Sequence, residues 1–197
     1  MMNLHLHQQL VAWCLALLNV LVPTAPWTSE YPHEAESFVT ASERDPLFKG
    51  KRGVEESVDY LVSVAWFESH FKPSAKGDEG ASLGLLQIAP GTAQPYLGQV
   101  RAKRAAFGDI FDPWNTVRDD LFDVEASPSF AIKLMRVSFG ICRDRPREDR
   151  LGWYAAGGAG CRGLTESRHR VAKAQWLALV HPFVFDPSVD SGAVAGL

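Results

Sequence analysis

The stretch "WFESHFKPSAKGDEGASLGLLQIAPGTA", residues 66–93, carries one carboxylate in an unusual place. Glu68 closes an uncharged, mostly apolar run, Tyr60 to Phe67, broken only by Ser63. Upstream, Val54, Val58, Leu61, Val62 and Ala65 recur at helical spacing and form one apolar face. Glu55 and Glu56 fall in the first turn, where the helix dipole favours acids. Pro73 restricts the residue before it and ends the helix. The pattern predicts a helix from about Gly53 with Glu68 in its last two turns. Residues 72–83 read as a loop, followed by the apolar turn "SLGLLQI", 82–88, with a single amide, Gln87. Taken alone, Glu68 is an exposed carboxylate at a helix end.

The chain has 197 residues, 46% of them apolar, and a formal net charge of −3. That length suits one domain with a core of its own. The charge argues against a nucleic-acid partner, which favours a basic stripe. Arg143 to Arg150 is basic but interleaved with Asp144, Glu148 and Asp149, so it reads as a solvated loop. Gly77, Gly80 and Gly84 match neither phosphate-loop order and read as turn glycines. His33, His70, His169 and His181 lack metal-ligand spacing, and no metal or cofactor is expected. Three cysteines are present, Cys14, Cys142 and Cys161. The last two are separate thiols in a reducing compartment, or a disulfide if the chain is exported.

Leu10 to Val22 runs without a charge. It is shorter than the about 20 residues of a membrane span and matches the apolar core of a signal peptide. "PTAPW" follows, placing a cleavage site near Ala25, although no Lys or Arg precedes the run. The segment reads as a signal peptide or signal-anchor, with a buried N-terminal helix as the alternative. Residues 23–37 read as a linker. "APGTAQPYL" predicts a short helix interrupted at Pro95, and Asp112–Pro113 and Ser127–Pro128 read as helix starts. The helix after Ser127 runs to about Phe139. A Gly-rich turn occupies 153–163 and a final helix ends near Pro182. The expected class is mainly α, without repeats. The expected division is 1–32 signal or anchor plus linker, 35–183 domain and 184–197 tail.

Three motifs then stand together: "ESHFKPSA" at 68–75, "GLLQIAPGTA" at 84–93 and "WYAAG" at 153–157. They resemble the lysozyme-like lytic transglycosylases of the soluble-lytic-transglycosylase (SLT) type, over roughly residues 50–180. A further family segment matches either "IFDPWNT", 110–116, or "LFDVEAS", 121–127. Leu86 stands where the family has Met, Ala155 where it has Asn, and Trp153 where it has a small residue. The resemblance implies a single lysozyme-like domain with a substrate groove. It also implies cleavage of the bond between N-acetylmuramic acid and N-acetylglucosamine in peptidoglycan.

In that reading Glu68 is the catalytic residue, general acid and then base. A general acid needs a raised pKa, and an apolar surround of Trp66, Phe67 and Leu61 would supply it. No second acid stands in a motif, since Asp78 and Glu79 read as solvated loop charges. The resemblance implies instead that the substrate's N-acetyl group assists, and that Glu68 then deprotonates the C6 hydroxyl to give a 1,6-anhydro product. Tyr154 would orient the N-acetyl group, Gln87 would bond sugar or peptide substituents, and Ser69 would position Glu68 or donate to substrate. Gly84 and Leu86 would line the groove, and Cys142–Cys161 would brace the third motif. The setting implied is periplasm or cell envelope, or a phage virion, with membrane association through the N-terminus. The alternatives are a hydrolase of the same fold and an inactive glycan-binding envelope or phage component.

Overall fold

α3, Gly53–Ser69, is the helix around which the others pack. All of its residues from Ser57 to Ala65 are buried, with Val58, Leu61, Val62 and Val64 fully so. Burying each such side chain contributes roughly 1.5–3 kcal/mol. A surface helix would show one apolar stripe, whereas α3 is enclosed on nearly every side over this span. It ends where predicted. His70 takes a left-handed conformation, and its N–H bonds the Trp66 carbonyl at 3.2 Å.

The computed structural model describes residues 4–22, 31–110, 112 and 114–185. The surrounding elements are α1 (Leu4–Leu21), α2 (Tyr31–Arg44), α4 (Pro90–Ala93), α5 (Leu97–Ala105), α6 (Val117–Phe122), α7 (Ser127–Ile141), α8 (Gly152–Ala155) and α9 (Leu164–Val180). The architecture is mainly α, as expected. One small antiparallel pair, β1 (Lys76–Gly77) and β2 (Ser82–Leu83), lies within the segment read as a plain loop. Backbone pairing of Leu83 with Ile88 extends it.

Several boundaries differ from the sequence reading. Residues 31–37, read as linker, form the first half of α2. Ala35, Phe38, Val39 and Ala41 share its buried side, which outweighs the polar look of its first turn. The helix expected at Asp112 begins instead at Val117. Thr116 and Asp119 form a reciprocal capping box there, while Asp112 accepts the Trp114 N–H in a turn. Pro113 and the cleavage site near Ala25 lie outside the described residues. The final helix, α9, ends at Val180, two residues before Pro182. Within the supposedly solvated 143–150 loop, Asp149 is buried and paired with Arg168 at 2.6 and 3.0 Å.

α1 packs on α2 and α3, with Leu10, Cys14, Leu17 and Leu18 buried. It is long and apolar enough to cross a membrane by length and composition. His7 holds it by a different force. Both ring nitrogens bond carboxylates of α2, Glu36 at 2.7 Å and Glu43 at 2.8 Å, and these bonds raise the imidazole pKa to about 10. Trp13 adds a bond from its indole N–H to the His181 carbonyl at 2.7 Å.

Asp59 is the exception inside α3. It is 2% exposed, and neither carboxylate oxygen has a hydrogen-bond partner among the described residues. Burial pushes its pKa up to about 8. The folded state therefore binds a proton that the unfolded chain releases near pH 4, so the carboxyl costs stability progressively as pH rises from 4 to 8. Asp59→Asn should raise the thermal midpoint at pH 8 and make little difference at pH 4, with a gain on the order of a few kcal/mol. A gain independent of pH would point to some other cause.

Cys142 and Cys161 form a disulfide with a Cα–Cα separation of 5.9 Å. Closing a loop of this size stabilises a fold by about 3 kcal/mol. The chain should migrate differently on reducing and non-reducing gels, and Cys161→Ser should melt lower by a corresponding amount. Unchanged mobility and melting would exclude the bond in solution.

Candidate functional site

α3 delivers Glu68 to the junction of three elements: the β1–β2 turn, α8 and α9. The helix stops one residue later, at Ser69, because the chain turns through left-handed φ at both His70 and Phe71. Phe71 is then buried, with its ring against Tyr31 and Trp66. Ser69 fastens the turn. Its hydroxyl donates to the Leu85 carbonyl at 2.7 Å and accepts the Lys72 N–H at 3.2 Å. That bond joins the end of α3 to the Gly84–Ile88 turn, which fixes Gln87 relative to Glu68.

The turn itself is tightly seated. Gly84 has φ +76°, and a Cβ there would collide with the Leu121 carbonyl of α6. Glycine is needed for both reasons. Leu86 lies fully in the core rather than on an open wall. Its contribution is the backbone carbonyl, which accepts the Tyr154 hydroxyl at 2.8 Å. Gln87 sits at φ +45°, and its side-chain amide donates to the Gly84 carbonyl at 2.7 Å. Among the described residues, every non-glycine with positive φ lies between Glu68 and Gln87: His70, Phe71, Asp78, Glu79 and Gln87. Such conformations cost of order 1–3 kcal/mol each and persist where the surroundings over-determine them.

α8 brings Tyr154 in from the other side. Ser138 of α7 accepts the Tyr154 backbone N–H at 3.1 Å and donates to the Arg150 carbonyl at 2.7 Å. Tyr154, Trp153, Gln87 and Thr92 line a cavity of about 20 Å³. That is room for little more than one water. A space of this size does not admit a sugar ring. Burial, and next the nearby Glu68 charge, push the Tyr154 hydroxyl pKa well above the usual range. It stays a neutral donor.

The residue that sequence reasoning missed is Arg170. Its guanidinium donates twice to Glu68 Oε1, from Nη2 at 2.6 Å and from Nε at 3.1 Å. The two side chains are 8% and 16% exposed. No described residue bonds Oε2. Burial pushes the Glu68 carboxyl up, Arg170 pulls it down, and Asp78 in the loop adds a further upward push. The net direction is upward. The expected aromatic surround is only partly present. Phe67 is 38% exposed and stacks on His169, with its ring centroid 5.9 Å from the Arg170 guanidinium carbon. Arg170 and the neighbouring buried groups take its place around the acid. Nothing in the local run "SRHRVAK" marks Arg170, because its partner is 102 residues away in the chain.

Compared with known proteins, residues 47–177 match the family model described as the transglycosylase SLT domain. No curated protein and no solved structure matches the chain. The matched span includes Glu68, the β1–β2 turn, α8 and Arg170.

Removing the guanidinium should release the downward pull on the acid. In Arg170→Gln protein, the Glu68 carboxyl, followed by carbon NMR, should titrate at higher pH than in the parent. An unchanged or lower midpoint would mean that the pair does not form in solution.

Proposed function

As the chain belongs to the transglycosylase SLT family, we propose that it is a peptidoglycan lytic transglycosylase in which Glu68 is general acid and then base. The observation that carries this reading is the placement of Glu68. It ends a buried helix inside the family-matched span, with burial raising its pKa. A carboxyl so placed holds a proton nearer neutral pH than an exposed one does.

The arrangement suits a two-step exchange. Oε2 is the oxygen available to face the glycosidic oxygen, since Arg170 occupies Oε1. Proton donation from Oε2 would leave a carboxylate, and Arg170 is already in place to stabilise that charge. The substrate's own N-acetyl group would assist departure, and its C6 hydroxyl would return the proton to Glu68. The leaving sugar gains one proton, Glu68 regains one, and no water is consumed. The Tyr154 hydroxyl, held on the Leu86 carbonyl, would offer its oxygen to the N-acetyl N–H. Gln87 would contact the sugar or its peptide from the turn. Ser69 would act as a positioning residue through the bond that locks this turn to α3. Gly84 and the Leu86 backbone would shape the wall rather than touch the sugar by side chains.

A hydrolase of the same fold is the second reading. Asp78 favours it to the extent that its charge reaches Glu68. Its carboxylate accepts a bond from Ser82 at 3.0 Å on an exposed loop. The disulfide and the apolar α1 support export, to the periplasm or cell envelope, where such a bond persists.

Glu68→Gln should reduce digestion of purified sacculi by about 100-fold or more, the range for loss of a general acid. The parent should release fragments with 1,6-anhydro ends by mass spectrometry. Reducing ends instead would favour the hydrolase, and full activity in Glu68→Gln would remove the central assignment. Retained glycan binding without cleavage by either protein would indicate an inactive binding module.

A further inference from the structure

A second feature lies on α2, α5 and α7 and plays no part in the chemistry above. The end of α2, one face of α5 and the outer face of α7 enclose a cavity of about 280 Å³. Five cations line it: Arg44, Lys103, Arg104, Lys133 and Arg136. Among the described residues, Asp45 is the only carboxylate in the lining. The chain as a whole carries −3, so this gathering does not follow from composition.

Two carboxylates knit the cations, and both are fully shared. Asp109 takes Arg44 at 2.7 Å and Arg104 at 2.6 Å. Asp45 takes Arg136 at 2.7 Å and Lys103 at 3.7 Å. Lys133 has no carboxylate partner among the described residues, and its ammonium stands 5.3 Å from the Tyr96 ring. Glu36 and Glu125 border Arg44 on another cavity and do not line this one. Arg104 is 5% exposed, so water screens its charge poorly. Linking α2 to α5 and α7 accounts for the paired charges. It does not account for three more cations than carboxylates around one concave space, where they repel one another. Guanidinium forks match the oxygen spacing of phosphate and carboxylate groups, and an ammonium adds a point charge.

We propose that this cavity binds an oxyanion ligand, held by Lys103, Lys133 and the outer edges of Arg44 and Arg136. Two sources share that chemistry: a phosphate group, and the carboxylates of a peptidoglycan stem peptide. The second source rests on the proposed function, whereas the anion site itself does not.

The probe is pyrophosphate, titrated into full-length Glu68→Gln protein against sodium chloride at matched ionic strength. The thermal midpoint should rise saturably. The Lys103→Gln/Lys133→Gln protein keeps the buried Arg104–Asp109 pair and should bind at least about tenfold more weakly, a change read independently from the phosphorus NMR linewidth. No response beyond that of salt, or an equal response in the double variant, overturns the proposal. Displacement of the probe by a disaccharide carrying its stem peptide, but not by the bare disaccharide, identifies stem carboxylates as the natural anion. Failure of both to displace it identifies phosphate. Because the readout is binding to a protein lacking the Glu68 carboxyl, loss of the catalytic assignment would leave the result intact.

Discussion

Two residues of α3, Ser63 and Glu68, bond Arg170 of α9 and set the geometry on which the candidate site depends. Ser63, buried in the middle of α3, donates to the Arg170 backbone carbonyl at 2.7 Å. About one and a half turns further along α3, the Arg170 side chain reaches Glu68. The same residue is therefore pinned at its main chain and engaged at its tip. Helix register and acid orientation become one constraint: a shift of α9 along α3 would break the Ser63 bond and withdraw the guanidinium together. Buried hydrogen bonds of this kind are costly to leave unmade, which gives the packing a single preferred register.

That constraint places Glu68 between opposed influences. Desolvation favours the neutral acid, and the guanidinium favours the carboxylate. Under the proposed function Glu68 would first give and then take a proton, which needs neither form to be overwhelmingly preferred. The left-handed residues on the following turn belong to the same design. They fold the chain back so that the Gly84–Ile88 segment can be tied to Ser69, and they keep side chains where glycine alone would meet no steric cost.

Much of this was legible in the sequence, for identifiable reasons. α3 follows from its period and from Pro73, and the family from three spaced motifs. Gly84 was readable as important, though its reason, contact with the Leu121 carbonyl, depends on α6, which lies far along the chain. The family resemblance places Leu86 on a groove wall, yet its side chain completes the core. α2 was hidden by Pro32, His33 and Glu34, whose polarity masks the Ala35, Phe38 and Val39 face. Arg170 and the cations around Lys133 were invisible for another reason. Each belongs to a helix whose charges look solvated, and only long-range packing decides which of them turn inward.

The disulfide between Cys142 and Cys161 closes a covalent ring that contains both α8 and the exposed arginine-bearing segment before it. Arg143 and Arg147, both exposed, offer cutting points to a trypsin-like protease, whereas Pro146 protects the bond after Arg145. A nick there would open the backbone without separating its two halves, because the sulfur bridge spans the cut. Tyr154 would remain anchored by Ser138 and Leu86 on one side and by the bridge on the other. Outside the cell, where degradation rather than unfolding limits a protein's working life, the ring places the site on a segment that survives being cleaved.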